Sequence, residues 1–322
     1  MKVIPISDIS GYKQAPNKFF NTERFAKRVS DNIVLLEGGF EKVRQWEQFN
    51  FSQDELKSIR SKKVCIIEAE EPNKFFLGDN PEEYFDQFYR VFTICPFTAE
   101  WLNKRTKTKR HVAICWPFNE EYAQKPLKKK YDIIYTGHLV SGILMKDLRA
   151  ISQFNYRLVS NSEDPIVTDR GVGYQEKMKL IAQSKITLVH NLLYPKVYHL
   201  PNIWKTPGWQ DNQALKLIPK WYEPWKWFSD QVLVPQQKSR VLEAAFGRSL
   251  ILCRRDPFNV IERYFEPGKE FIYYDANNLA ATVASILENY DDYKTIIDNA
   301  YNKAYHQYSI KAFVEKYLEP LS

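Results

Sequence analysis

Short apolar runs alternate with mixed, helix-like stretches along the first 117 residues of the chain. Each run has the length of a β-strand and ends in polar residues, and amphipathic segments separate most of the runs. Strands that alternate with helices predict a parallel α/β sheet. The predicted strands are Val3–Ile6, Asn32–Leu36, Lys63–Ile67, Arg90–Cys95 and His111–Cys115.

A second series of the same kind follows a polar, basic segment at 119–130. We interpret that segment as a linker, so the chain is predicted to hold two Rossmann-like α/β domains, 1–125 and 126–322, that face each other across a cleft. Helices are predicted between the strands, and a last helical region covers 296–318. The second set of predicted strands is Asp132–Tyr135, Tyr156–Val159, Ile186–Val189, Ser249–Cys253 and Phe271–Tyr274.

One segment of the second domain, residues 194–229, breaks the alternation. It contains five tryptophans, and prolines recur too often for a single long helix. We interpret it as an insertion that covers or borders a ligand cleft, where its aromatic faces would contact the ligand. A self-packed surface loop explains the same pattern equally well.

Composition narrows the class of protein. The chain has 322 residues, of which 44% are hydrophobic and 15% aromatic, so two packed cores can form. The net charge of +7 suits a phosphate-bearing ligand, an anionic membrane surface or nucleic acid. The basic runs Lys104–Arg110 and Lys125–Lys130 fall in predicted loops and are interpreted as solvated surface. No RNA-binding or zinc-finger signature supports nucleic acid as a partner.

The four cysteines each lie in or beside an apolar run, and their spacing matches no zinc site. Buried thiols of this kind fit a reducing compartment. The first ten residues lack the apolar core of a secretory signal, and no run of about 18 apolar residues is present. We therefore expect a cytoplasmic protein without a membrane span.

The stretch Pro235–Leu279 carries the most specific pattern, a helix–strand–loop–strand–helix order with two motifs. The motifs R-x-x-E-A-x-x-x-G and F-x-P-G-K-E-x-I-x-Y-x-D-x-x-x-L resemble those of the group 1, family 4-like glycosyltransferases of the GT-B fold. The resemblance extends over residues 130–322. The matching residues are Arg240, Glu243, Ala244, Gly247, Phe265, Pro267, Gly268, Lys269, Glu270, Ile272, Tyr274, Asp275 and Leu279.

This resemblance implies a hexosyl- or pentosyltransferase that moves a sugar from a nucleotide-sugar donor to a glycan, a glycoconjugate or another hydroxyl acceptor. It also implies that the enzyme needs no metal or other cofactor. In the GT-B fold the last helix often returns to the N-terminal domain, a role that Phe313–Leu318 would take here. Peripheral contact with a membrane is compatible with the positive charge.

The same resemblance assigns residues to the donor. Glu243 would accept hydrogen bonds from the ribose hydroxyls, while Arg240 and Lys238 would hold the phosphates. A second anchor is the loop after the first strand of the second domain. The family has Gly-Arg-Leu there and this chain has Gly137–His138–Leu139, so other cations or backbone N–H groups would replace the missing arginine.

Residues that follow other predicted strands complete the candidate site. Asn161 and Tyr174 are candidates for contact with the nucleobase. His190 would touch the donor or the acceptor, although a buried histidine with a structural role fits its position equally well. An inverting enzyme also needs a general base. The candidates are the strand-end carboxylates Asp8, Glu37 and Glu68.

One departure from the family raises an alternative function. Many relatives carry a second glutamate eight residues before the position of Glu243, and Pro235 occupies that place here. The chain could therefore be a catalytically degenerate GT-B protein that acts as a carbohydrate-binding or scaffold subunit.

Overall fold

The structure is a computed structural model that describes residues 1–5, 22–37, 58–59, 63–68, 86–139, 141–193, 222–223, 225 and 234–322. The chain divides into two compact units. Unit 1 takes in the described parts of Met1–Pro117, Leu193–Gln236 and Ile310–Ser322, and unit 2 takes in those of Phe118–Leu192 and Gln237–Ser309.

Unit 1 contains a parallel sheet of five strands whose spatial order follows the chain, β1-β2-β3-β4-β5. Helix α1, Pro96–Thr106, has proline in its first turn, where a missing N–H costs no hydrogen bond. All four strand pairings of this sheet are parallel, so the predicted parallel sheet is confirmed. The strands are β1 Lys2–Pro5, β2 Ile33–Glu37, β3 Lys63–Glu68, β4 Arg90–Thr93 and β5 His111–Ala113.

The last residues of the chain belong to the core of unit 1. Helix α7, Ile310–Phe313, continues as a π-helical turn over Val314–Leu318. Phe313 contacts Phe92 of β4 edge to face, with ring centroids 5.1 Å apart. The predicted helical region 296–318 is thus two helices in different units, because the chain leaves unit 2 at Ser309.

Unit 2 contains the second parallel sheet, with the spatial order β7-β6-β8-β11-β12. In chain order this is 2-1-3-4-5, so the direction of winding reverses between β6 and β8. Ligands of such sheets bind outside the carboxyl ends of the strands at this switch point. The strands are β6 Tyr131–Thr136, β7 Tyr156–Val159, β8 Ser184–Val189, β11 Leu250–Arg254 and β12 Ile272–Tyr274.

Helices cover the sheet of unit 2 and bury its apolar side chains, among them Ile133, Leu188 and Leu252. Short 3-10 turns connect several of them. The two-residue strands β9, Leu192–Leu193, and β10, Val234–Pro235, lie where the chain leaves unit 2 and returns to it. The helices are α2 Gly142–Ile151, α3 Tyr174–Ala182, α4 Ser239–Phe246, α5 Leu279–Glu288 and α6 Lys294–Gln307.

The predicted linker region begins unit 2. Phe118 N donates to Tyr308 O at 2.8 Å, and Gln124 N donates to Phe246 O at 2.9 Å. The units therefore divide at 117/118, somewhat before the predicted 125/126. The tryptophan-rich insertion 194–229 lies outside the described residues except for Tyr222, Glu223 and Trp225, so its role stays a prediction.

Candidate functional site

The candidate site lies at the carboxyl edge of the sheet in unit 2, around the switch point. Strand β6 ends at Thr136 and leads into Gly137, and strand β8 ends at Val189 and leads into His190 and Asn191. Both loops open on the same edge because β6 and β8 are parallel neighbours. Most of the donor residues predicted in this unit lie on these loops or on helices α3 and α4.

Arg240 lies against Gly137. Both residues were assigned to the donor site from the sequence, and that role stays a prediction. The Arg240 guanidinium stacks over the Tyr135 ring, with Cζ 4.7 Å from the ring centroid. It also lies so close to Gly137 that a Cβ at that position would overlap Nη2. Gly137 has φ +131°, a conformation that glycine adopts readily and other residues avoid.

Within the described part of the chain, no acid neutralises the charge of Arg240. No carboxylate of the described residues forms an ion pair with its half-buried guanidinium. Burial raises the pKa of the Tyr135 hydroxyl, and the positive charge of Arg240 offsets part of that rise. A half-buried arginine without an acidic partner is available to an anion, which it binds through its planar fork of N–H groups.

Glu243 is buried, with 1% of its surface exposed, and protein donors already occupy its carboxylate. Oε1 accepts from Lys177 Nζ at 2.9 Å and from Tyr174 OH at 3.2 Å. Ser239 Oγ lies 3.4 Å from Oε1, and Thr136 Oγ1 lies 3.4 Å from Oε2. Glu243 thereby ties α3, α4 and the end of β6 together, and its contact with ribose stays a prediction.

Tyr174 is part of that arrangement. Burial and the negative charge of Glu243 hold the pKa of the Tyr174 hydroxyl well above its ordinary value. The hydroxyl therefore stays protonated and donates a hydrogen bond to Glu243. The Tyr122 ring packs edge-on against the Tyr174 ring, at a centroid distance of 4.7 Å. The structure thus gives Tyr174 a role in fixing Glu243, beside its predicted contact with a nucleobase.

The start of helix α4 is held by a residue from another element. Lys238, the N-cap residue, provides no side-chain cap of its own. Its backbone N–H donates instead to Oδ1 of Asn191 at 3.1 Å. Asn191 is fully buried and directly follows His190, so the loop after β8 positions the helix that carries Arg240 and Glu243.

A second buried cluster surrounds His190, and sequence reasoning predicted only the histidine. Oδ2 of Asp147, on α2, lies 3.1 Å from His190 Nε2 and accepts from Tyr274 OH at 2.8 Å. The Tyr274 hydroxyl is 2.7 Å from His190 Nε2, and Arg254 Nη1 donates to the same carboxylate oxygen. Asp147 and His190 are each 2% exposed.

The protonation states of this cluster follow from its contacts. Burial alone would raise the pKa of Asp147, but hydrogen bonds from His190, Tyr274 and Arg254 outweigh burial and leave that pKa below its ordinary value. Burial lowers the pKa of His190, and the Asp147 carboxylate opposes that change only in part. Burial and Asp147 together raise the pKa of Tyr274 well above its usual range. The cluster therefore holds an ionised aspartate, a neutral histidine and a protonated tyrosine.

The other predicted residues are less enclosed. His138 is exposed, and its carbonyl accepts from Tyr135 OH at 3.1 Å. Asn161 is also exposed, and its Oδ1 accepts from Gly171 N at 3.2 Å, which holds the loop after β7. Lys238 is half-buried at the start of α4.

The candidate catalytic acids belong to unit 1. Glu37 is the last residue of β2 and Glu68 the last residue of β3, and these two strands are parallel neighbours. The third candidate, Asp8, lies outside the described residues. The catalytic assignment of all three stays a prediction.

Sequence reasoning missed the residues that hold the site together, namely Tyr135, Asp147, Lys177 and Arg254. Asp147 offered one usable signal, because it lies on the apolar face of α2 between Leu144, Leu148 and Ile151, all of which are buried. A carboxylate on such a face needs buried donors. Which donors those are depends on the order of the strands.

Comparison of the fold with solved structures indicates the class of protein to which this fold belongs. Comparisons with protein-family models and with curated protein sequences find no match. The structural neighbours are glycosyltransferases of the GT-B fold, which confirms the predicted fold.

Three of these neighbours show the extent of the likeness. A mutant of S. aureus TarM, in complex with fondaparinux, α-GlcNAc-glycerol and UDP, matches with a TM-score of 0.55 and 11% identity over 92% of this chain and 57% of the TarM chain. HepE from Anabaena, in complex with UDP-glucose, matches with a TM-score of 0.54 and 10% identity over 90% of this chain and 78% of HepE. A glycosyltransferase from Rickettsia africae matches with a TM-score of 0.53 and 11% identity over 99% of this chain and 96% of that one.

These values show a shared fold. The chain spans little more than half the length of TarM, and the same holds for the pneumococcal O-GlcNAc transferase GtfA, of which it covers 57%. Within the described residues, no group of three or more His, Cys, Asp or Glu side chains is placed to hold a metal ion. No helix in the described part of the chain is both long and apolar enough to cross a membrane.

Proposed function

We propose that this protein is a glycosyltransferase that uses a nucleotide-sugar donor, bound at the switch point of the sheet in unit 2. The observation that carries the proposal is the half-buried Arg240 guanidinium, which lies against Gly137 without an ion-pair partner among the described residues. The fold supports the class of reaction, and the TarM, GtfA and HepE structures contain UDP or a UDP-sugar.

A diphosphate at Arg240 would meet positive charge from three sources, namely the guanidinium itself, the N-terminus of α4 and the Lys238 ammonium. Arg240 occupies the first turn of α4, and the N-terminus of a helix favours anions. The Lys238 ammonium belongs to the same helix start, and the backbone of Gly137 allows close approach because it has no side chain. These groups would neutralise the leaving diphosphate, so the proposed reaction needs no bound metal.

The remaining assignments follow from the same placement. Asn161, exposed after β7, suits a nucleobase or ribose. A catalytic base for an inverting reaction would come from Glu37 or Glu68, the last residues of β2 and β3, or from Asp8. The acceptor would be a glycan or another hydroxyl compound. We place the protein in the cytoplasm, with peripheral membrane contact where the acceptor is lipid-linked.

Calorimetry on one pair of variants tests the donor site. Arg240→Ala should weaken UDP or another nucleoside diphosphate by about 10- to 100-fold, since a hydrogen bond to a charged group contributes roughly 1.5–3 kcal/mol. The same variant should bind the bare nucleoside as the wild type does. The matched control is Arg157→Ala, because Arg157 stacks on Tyr131 at the other end of β6 with Cζ 4.4 Å from the ring centroid. Equal diphosphate affinity in all three proteins would refute the proposal.

Carbohydrate binding without catalysis is the second candidate function. The engagement of Glu243 by four protein donors favours it, because a carboxylate held this way has less capacity for ribose hydroxyls. Incubation with a panel of nucleotide sugars, followed by product analysis, separates the two functions. Release of nucleoside diphosphate supports a transferase, while glycan binding without release supports the second candidate.

A further inference from the structure

In the described part of the chain, one polar atom of the His190 cluster has no hydrogen-bond partner. Among the residues that the structure describes, none forms a hydrogen bond with His190 Nδ1, although only 2% of the side chain is exposed. Buried polar atoms without a partner are rare in native proteins, because each costs roughly 1–3 kcal/mol. The atom lies one residue beyond β8, at the switch point where ligands of such sheets bind.

The contacts of the ring decide which nitrogen carries the proton. The ionised Asp147 oxygen is 3.1 Å from Nε2, and a lone pair on Nε2 would face that negative charge. The Tyr274 hydroxyl donates to Asp147, so its oxygen is left to accept from Nε2–H at 2.7 Å. We therefore assign the proton to Nε2, which makes Nδ1 a hydrogen-bond acceptor.

The surrounding charges decide what this acceptor can do. Asp147 is the negative group at the ring, Tyr274 is neutral, and Arg254 and Arg240 are positive groups that oppose a second proton on His190. A histidine whose pKa is lowered by burial and by two cations is a poor general base. It remains a good neutral acceptor for an O–H group.

We propose that His190 Nδ1 accepts a hydrogen bond from a hydroxyl group of the bound nucleotide sugar, and that Asp147, Tyr274 and Arg254 hold the ring in the tautomer that permits this. The inference rests on the proposed function, because Arg240, which would hold the diphosphate, is close enough for its charge to lower the pKa of His190. A hydroxyl on either side of a diphosphate, from the ribose or from the sugar, has the required chemistry. His190 touches the ligand, and the other three are positioning residues.

Two substitutions separate ligand contact from structural support. The amide of asparagine occupies the place of Nδ1, and that of glutamine the place of Nε2. His190→Gln keeps a partner for Asp147 and Tyr274 but removes the acceptor, so it should melt near the wild type and bind the ligand about three- to tenfold more weakly. His190→Asn keeps the acceptor but loses the contact with Asp147, so it should melt lower and bind within about twofold of the wild type.

The probes are UDP, 2′-deoxy-UDP, UDP-glucose, GDP-mannose and ADP-glucose, measured by calorimetry. If His190→Gln weakens UDP itself, and 2′-deoxy-UDP does not respond, the hydroxyl belongs to the ribose; if only the sugar nucleotide responds, it belongs to the sugar. The inference would be overturned if the affinities followed the melting temperatures, so that His190→Gln bound the probes more tightly than His190→Asn. That result would leave the proposed donor site in place. A wild type that binds none of the probes would overturn the proposed function as well.

Nuclear magnetic resonance gives a test that needs no substitution at His190. In protein with labelled histidine, the His190 ring should show a proton on Nε2 alone, and the Nδ1 resonance should shift when a binding probe is added. Asp147→Asn should raise the population of the other tautomer and weaken the same ligands, while Arg248→Ala, which removes an exposed pair with Asp298, should change neither. An Nδ1 resonance that does not move at saturating ligand would refute the contact.

Discussion

The Arg240 guanidinium fills the space beside Gly137 that a side chain would otherwise occupy. The two residues are far apart in the chain, and they meet because β6 and α4 converge at the carboxyl edge of one sheet. Gly137 N donates to Val159 O at 3.0 Å, which fixes the loop in its unusual conformation. This contact places a cation beside a backbone without a side chain at the switch point.

Gly137→Ala should therefore weaken nucleoside diphosphates by at least tenfold and lower the free energy of unfolding by about 1–3 kcal/mol. The variant adds strain at φ +131° and displaces Arg240. Gly268→Ala is the control, since Gly268 has φ +76° but an added Cβ there would meet no described heavy atom within 4 Å. Calorimetry and chemical denaturation should show the loss of affinity at Gly137 alone. Equal effects of both changes on affinity would mean that Arg240 does not depend on this contact.

Glu243→Gln should lower the free energy of unfolding by about 3 kcal/mol, because it removes the negative charge from a buried pair and leaves Lys177 without it. Glu176→Gln on α3 is the control, since its pair with Lys179 is exposed and should contribute less than about 1 kcal/mol. Denaturant titrations measure both changes. A Glu243→Gln protein with wild-type stability and weakened nucleotide affinity would show instead that the carboxylate serves the ribose.

Asp256 should give unit 2 a stability that falls as pH rises. Burial raises the pKa of this carboxyl from 3.8 to about 6, and among the described residues its Oδ2 has no hydrogen-bond partner. The folded state therefore binds the proton more tightly than the unfolded state, and the contribution of the group is lost as pH rises from about 4 to about 6. The stability difference between wild type and Asp256→Asn should shift by about 3 kcal/mol across that window. Denaturation at pH 4 and pH 7 checks it, and a constant difference would contradict it.

Lys129 should contribute to stability through backbone contacts. Its ammonium donates to the carbonyls of Ala182 at 2.9 Å, Ser184 at 3.0 Å and Arg248 at 2.6 Å, and so joins the end of α3 to the starts of β8 and β11. Lys129→Met should lower the free energy of unfolding by about 2–4 kcal/mol, since three carbonyls lose a donor. Lys185→Met, which removes a pair with Asp132 at 3.3 Å, should change it by less than about 1 kcal/mol. Similar losses of unfolding free energy in Lys129→Met and Lys185→Met would show that the carbonyl contacts of Lys129 do not add to stability.

The motif around Arg240 and the loop at Gly137 were recognisable from sequence, and the structure brings them together. The resemblance could not show that Arg240 stacks on Tyr135, because that contact depends on how β6 and α4 pack. It also could not show that Tyr174 and Lys177, from α3, occupy Glu243. The predicted helical region 296–318 is divided between α6 and α7 with its π-helical continuation, because the chain passes from one unit to the other at Ser309.

The sequence by itself determined the ten strands of the two sheets and the loops that follow them, because apolar periodicity and turn residues act over short distances. The tertiary structure decided which polar side chains meet. Asp147, His190, Arg254 and Tyr274 come from α2, the loop after β8, β11 and β12, and they form one cluster because the strand order places these ends side by side. Strand order results from long-range packing, so no local pattern reveals that His190 Nε2 contacts Asp147 and Tyr274 while Nδ1 has no partner among the described residues.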